Sequence, residues 1–148
     1  YPSKLKRLAQ GFQHLVPPTF HIFNWGKVMS LKHVVVIDEN LDVEGVVTTA
    51  PADDMTSGNP STTMWTAYSG PVQSVISGIW ESEKFEKKIS RPSMVEYFFI
   101  LEGEIKLTDE DGNSEIFRPG QGVIVKPGFD GIWESLTKVR KHFFIGVC

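Results

Sequence analysis

Glu96 is the residue in this chain with the clearest chemical use. It stands in Arg91-Pro92-Ser93-Met94-Val95-Glu96-Tyr97-Phe98-Phe99-Ile100-Leu101-Glu102-Gly103, five residues after an arginine and among apolar side chains. A carboxylate in such surroundings needs a partner, because burying it alone costs several kcal/mol or forces it to take a proton. Arg91 is the nearest basic residue in this segment and can pair with it. A carboxylate beside a fixed cation can move a proton on a bound substrate, while the cation holds the substrate's own carboxylate or phosphate. Lys126 is a second candidate anchor.

A five-residue word flanks this segment. Gly78-Ile79-Trp80-Glu81-Ser82 recurs as Gly131-Ile132-Trp133-Glu134-Ser135, 53 positions on. On a strand, Gly, Trp and Ser share one face, and Ile and Glu the other. Glycine is expected to make room beside the indole. Trp80 and Trp133 are read either as core residues or as walls for a ligand. Two copies are too few for a solenoid and suit equivalent strands in the two halves of a barrel.

The elements that must position these residues are strands. From Thr63 onward, short alternating or β-branched runs are separated by Gly and Pro turns, among them Asp109–Asn113 with its Asp-Gly pair and Pro119–Gly122. The runs are 64–68, 72–80, 84–90, 95–101, 104–108, 114–118, 123–126, 131–136 and 138–147. His33–Ile37 reads as a further strand, followed by Glu44–Thr49. Residues 50–62, rich in Pro, Gly, Ser and Asp, read as a loop, and its adjacent Asp53 and Asp54 as solvated. Glu96, Phe98 and Ile100 fall on one face of their strand, Tyr97, Phe99 and Leu101 on the other. The pattern predicts an all-β sandwich or barrel.

Ahead of it lies an arm, residues 1–32, with a short helix over 3–15 that Pro17 and Pro18 end. The barrel domain is expected over 33–148. No Asp or Glu precedes Asp38. That acid-poor stretch is read as an arm docked on its own barrel rather than as a targeting signal, with Met29 as an alternative start.

The totals set limits. A length of 148 residues with 41% hydrophobic content suits one core. A net charge of −3 gives no general attraction to nucleic acid or anionic membrane. The one cysteine, Cys148, builds neither a disulfide framework nor a thiolate metal site. A reducing compartment, the cytoplasm, is the expectation.

Several words match a family in order. The run from Arg91 to Leu107 resembles the first cupin motif, and Pro119–Ser135 the second. Together with GIWES and Val139–Phe144 they resemble the short cupins that include the ethanolamine-utilisation cupin and relatives of ureidoglycine aminohydrolase. The resemblance covers about residues 63–147. It implies a single cupin jelly-roll barrel (a double-stranded β-helix), usually a homodimer. In metal-binding cupins two histidines, a glutamate and a third histidine hold a divalent ion. Position by position, Ile89 and Arg91 stand where the histidine pair would be, Glu96 at the glutamate, Gly131 at the last histidine and Ser135 at the asparagine. One ligand of four remains, so no metal and no other cofactor is expected. His14, His21, His33 and His142 all lie elsewhere, and His142 is the one best placed to reach the barrel.

What remains is a polar pocket. If Glu96 points inward as in the family, Phe98 and Ile100 line the cavity with it, and Trp133 and Ser135 face it. The predicted site is Glu96 as the catalytic group, with Arg91, Phe98, Trp80, Trp133, Lys126 and Ser135 binding a small molecule. Tyr97, Lys141 and His142 are candidates for a second proton-active group. Lys141 is also read, with Arg140, as charge on an exposed strand edge. Three functions stay open. One is an isomerase, lyase or hydrolase acting on a small carboxylate or amine metabolite. Another is a non-catalytic binding, sensor or accessory protein. In the third, the barrel is filled and Arg91–Glu96 is a core salt bridge.

Overall fold

The computed structural model describes residues 31–148. The chain divides into two units, one ending at Val35 and a compact one over Val36–Cys148. Of the first, residues 31–35 hold a turn in which the Val34 N–H donates to the Leu31 carbonyl, with His33 at a φ of 64°. The helix expected over 3–15 lies outside the described residues.

The second unit is built from eleven strands: β1 Val46–Thr49, β2 Met55–Gly58, β3 Ser61–Ser69, β4 Val75–Ser82, β5 Phe85–Arg91, β6 Met94–Glu102, β7 Ile105–Asp109, β8 Ser114–Phe117, β9 Gly122–Val125, β10 Phe129–Ser135 and β11 Val139–Val147. They form a six-stranded sheet in the order β1-β3-β4-β11-β6-β9 and a five-stranded sheet in the order β2-β5-β10-β7-β8. Every pairing is antiparallel. This is the jelly roll that the strand pattern and the family words imply.

The core lies between the sheets, where period-two alternation turns one face of each strand inward. β6 contributes Glu96, Phe98 and Ile100, and β11 contributes Val139, Lys141 and Phe143. Phe85 and Ile89 come from β5, and Trp133 and Ser135 from β10. Glycines at positive φ close the turns, Gly112 at 85° after Asp109–Asp111 and Gly128 at 95° after Pro127.

Three segments depart from expectation, the first being the start of the strand expected over 72–80, where Pro71–Gln73 form a 3-10 turn and β4 begins only at Val75. His33–Ile37 is not a strand, and Val34, Val35 and Val36 are all at least half exposed. A β-branched run becomes a strand only where a neighbour completes its ladder. Residues 50–62, expected as loop, hold β2, which pairs with β5, and the start of β3. Here the ladder forms in a stretch of low β-propensity, because β5 offers an open edge. Asp53 and Asp54 precede β2 in exposed turns.

Candidate functional site

Lys141 defines the site. It lies on β11 directly opposite Trp80 of β4 on one side and Ile100 of β6 on the other, in the middle of the larger sheet. Its side chain turns inward and is 5% exposed. The Nζ donates to Glu96 Oε1 at 2.6 Å. Three rings surround the same nitrogen, with centroids at 4.2 Å for Trp133, 4.6 Å for Phe98 and 4.7 Å for Trp80. Arg91 approaches the other carboxylate oxygen, with Nε 3.9 Å from Glu96 Oε2. That Nε is buried and donates to nothing among the described residues.

The strands explain the arrangement. Alternation on β5 turns Phe85, Lys87, Ile89 and Arg91 to one side, so two cations point into the barrel. A cavity of about 220 Å³ opens there, lined by Lys87, Arg91, Glu96 and Lys141 with Trp80 and Trp133. Met64, Phe143 and Ile145 supply apolar wall, and Thr48 and Thr62 supply hydroxyls on the β1 and β3 side. Three formal cations against one carboxylate make the cavity electropositive. Burial pushes the Lys141 ammonium down from its ordinary 10.5; Glu96 opposes this, while Arg91 and Lys87 add to it. Lys87 is pushed down as well, by burial first and by Arg91 next.

Of the residues singled out in the sequence, Glu96, Arg91, Trp80 and Trp133 come together around this cavity. Phe98 touches Lys141 from the core side, and its ring meets Trp133 at 5.3 Å, so it backs the site rather than lining it. Ile100 is fully buried behind it. One part of the barrel is therefore filled and the rest is open. Ser135 is fully buried too, accepting from Ser82 Oγ at 3.0 Å and from Trp133 Nε1 at 3.2 Å, so both neighbours hold it in the core. Lys126 lines a separate groove of about 480 Å³ beside Phe117 and Phe129, because it follows β9 at the opposite edge of the sheet from β1.

Lys141 carries more of the site than its sequence context indicates. The Arg140-Lys141 pair is no exposed edge, since β11 lies between β4 and β6. Arg140 faces the other way, donating to Glu81 at 2.7 Å and stacking over Trp65. The signal available was the inward phase of Val139, Lys141 and Phe143. Tyr97 points outward and is 43% exposed, and His142 alternates away from Lys141. The glycines of the repeated word also differ from expectation. A methyl on Gly78 would meet the Trp65 carbonyl, and one on Gly131 the Thr108 carbonyl, so they admit neighbouring backbone rather than an indole.

A divalent ion does not fit this donor set. Such a site needs three or more N, O or S ligands from the protein. Among the described residues no group of three His, Cys, Asp or Glu side chains converges. Glu96 has an ammonium on one oxygen and a guanidinium near the other, and cations do not ligate.

Two antiparallel sheets rolled around an inward glutamate, with a lysine as its partner, define a cupin barrel. The chain belongs to the EutQ-like cupin domain family, whose family model matches residues 69–143. No curated protein matches it. Among solved structures it is similar to a protein of unknown function of the DUF861 family from Pseudomonas syringae pv. tomato, at 23% identity and a TM-score of 0.62. That match covers 70% of this chain and 44% of the other, so the chain spans under half the length of that relative. It is also similar to the EutQ protein of Clostridium difficile (13% identity, TM-score 0.52, 68% of this chain and 81% of that one). A cupin 2 conserved barrel domain protein from Rhodopseudomonas palustris matches at 10% identity and a TM-score of 0.56, over 72% and 73% of the two chains. At these identities the likeness is one of fold. Among the described residues no helix is long and apolar enough to cross a membrane.

Proposed function

We propose that the barrel cavity binds a small carboxylate metabolite and that Glu96 moves a proton on it, without a metal, in an isomerase, lyase or hydrolase reaction. One observation carries this reading. The buried Glu96–Lys141 pair, 2.6 Å apart, lines an open cavity into which Arg91 brings a buried Nε with no hydrogen-bond partner among the described residues. Charged groups perturbed by burial and by one another in a cleft are candidates for function. The excess of cations favours a carboxylate over an amine. A cavity of about 220 Å³ is smaller than the ~300–1,000 Å³ of common ligand pockets, which suits a metabolite of a few carbons. The EutQ name of its relatives points to small-molecule catabolism by analogy alone.

A thermal-shift screen of two- to five-carbon carboxylates and amines on the wild type, Arg91→Ala and Glu96→Gln tests the binding. Carboxylates that stabilise the wild type and lose their effect in Arg91→Ala support it; amine hits alone overturn it. Solvent deuterium entering the bound carboxylate, and failing to enter with Glu96→Gln, supports proton transfer. Binding without exchange or turnover leaves the sensor or accessory reading in its place.

The same proposal keeps the homodimer that the family implies. The cross-strand row Phe144, Tyr97 and Ile124 on the outer face of the larger sheet is its contact. Sedimentation as a monomer at micromolar concentration overturns that part.

A further inference from the structure

We propose that Lys141 is a covalent nucleophile, forming an imine with the carbonyl carbon of a small 2-oxo acid held in the barrel cavity. The inference rests on the reading of that cavity as a carboxylate site and names the substrate class.

The geometry has the parts such a lysine needs. An amine is activated by removal from water and by other cations beside it. Lys141 has three aromatic rings within 4.7 Å of its nitrogen, and Lys87 and Arg91 line the same cavity. Burial and those two cations favour the free amine, against the pull of Glu96. Glu96, at hydrogen-bond distance, is placed to take a proton from the nitrogen and return it to the departing oxygen. Arg91 Nε lies 3.9 Å from the other carboxylate oxygen without a hydrogen bond to it, and so stays available to the substrate. Nucleophile and base thus stand within the hydrogen-bond reach that covalent catalysis requires.

The step balances. The ammonium passes one proton to Glu96, and the amine nitrogen bonds to the carbonyl carbon as the C=O π pair moves to oxygen. A second nitrogen proton moves to that oxygen, giving a carbinolamine. Glu96 then protonates the hydroxyl, the C–O bond breaks, and water leaves. The nitrogen keeps one proton as an iminium, and Glu96 is again a carboxylate. The product carries the same positive charge as the starting lysine, so the rings and Glu96 stabilise it in place. The substrate carboxylate lies toward Arg91 and Lys87. An electron-withdrawing iminium would also acidify the neighbouring C–H, which is the proton Glu96 is proposed to move.

The test uses the full chain with pyruvate or glyoxylate as probe. Each is incubated with the protein, reduced with borohydride, and the adduct located by intact mass and peptide mapping. One adduct per chain, on Lys141, is expected. It should disappear in Lys141→Arg, which keeps the cation and removes the amine, and form about 100-fold more slowly in Glu96→Gln. An adduct scattered over exposed lysines, or one undiminished in Lys141→Arg, overturns the proposal. Peptide mapping of the wild type alone decides if Lys141→Arg does not fold. Calorimetry of pyruvate with wild type, without reductant, separates the two readings. Binding with no adduct overturns the imine and leaves the carboxylate site standing. No adduct, and no binding of any carboxylate, overturns both.

Discussion

Ser82 Oγ donates to Ser135 Oγ at 3.0 Å, joining the last residues of the two Gly-Ile-Trp-Glu-Ser words across the core. Two residues earlier in each word, Trp80 and Trp133 meet edge to face with centroids 5.8 Å apart. The repeat is thus a facing pair, one copy on β4 of the larger sheet and one on β10 of the smaller. Ser135 also accepts from the Trp133 indole, which fixes the ring that closes over Lys141. Ser135→Ala should cost about 1–3 kcal/mol, because two buried donors then lack a partner. Ser82→Ala should cost less, since Ser135 keeps the indole. Urea unfolding of the two variants checks the order.

The glycines of the same words make a second test. Gly78 and Gly131 each lie against a backbone carbonyl of the adjoining strand, which cannot swing aside as a side chain would. Gly112 has nothing within 4 Å of an added methyl, though its φ is 85°. Alanine at 112 should therefore cost about 1 kcal/mol from backbone strain alone. Alanine at 78 or 131 should cost more than 3 kcal/mol or prevent folding, by forcing strands apart. Equal losses at all three positions would show that conformational freedom, not contact, is what these glycines supply.

Much of this was legible in the chain. Alternation in Val95–Leu101 and the Gly and Pro turns point to the barrel strands, because each inward side chain must be apolar or paired. Glu96 stood out as the inward residue breaking that rule. Lys141 breaks it too, but its meaning depends on a partner 45 positions earlier, and no local pattern encodes such a pairing. Alternation puts Ser135 and Phe98 on the cavity side, but it gives the face and not the depth. β2 is not legible locally for a similar reason, since its ladder is supplied by β5. His33–Ile37 shows the converse, strong propensity with no partner strand.

The Glu96–Lys141 pair should be weak as a source of stability and costly to break. Glu96→Gln leaves a buried ammonium with rings and two cations about it, and should lose about 3–5 kcal/mol. Replacing both with Glu96→Gln and Lys141→Met should recover most of that loss, because a buried pair often does no better than apolar packing. A double-mutant cycle by chemical unfolding reads the coupling. Additive losses would mean that the two side chains do not act as a pair. Full recovery with loss of ligand binding would place the pair's use in function.

The pH dependence of stability should bear the mark of Lys141. Its folded value lies below the ordinary 10.5, so between the two the unfolded chain binds more protons than the native one. Stability contributed by this group therefore rises with pH across that window, the reverse of a lysine stabilised by a surface ion pair. The groups that set the shift are Glu96 on β6, which opposes it, and Lys87 and Arg91 on β5, which add to burial. Lys87, also depressed, contributes the same sign. The unfolding free energy of wild type should gain on that of Lys141→Met as pH rises toward 10.5. Removing Lys87 as well should flatten the curve further. A wild type that instead loses ground to Lys141→Met over this range would show that Glu96 outweighs burial. Lys141 would then be a fixed cation, not an amine ready to attack.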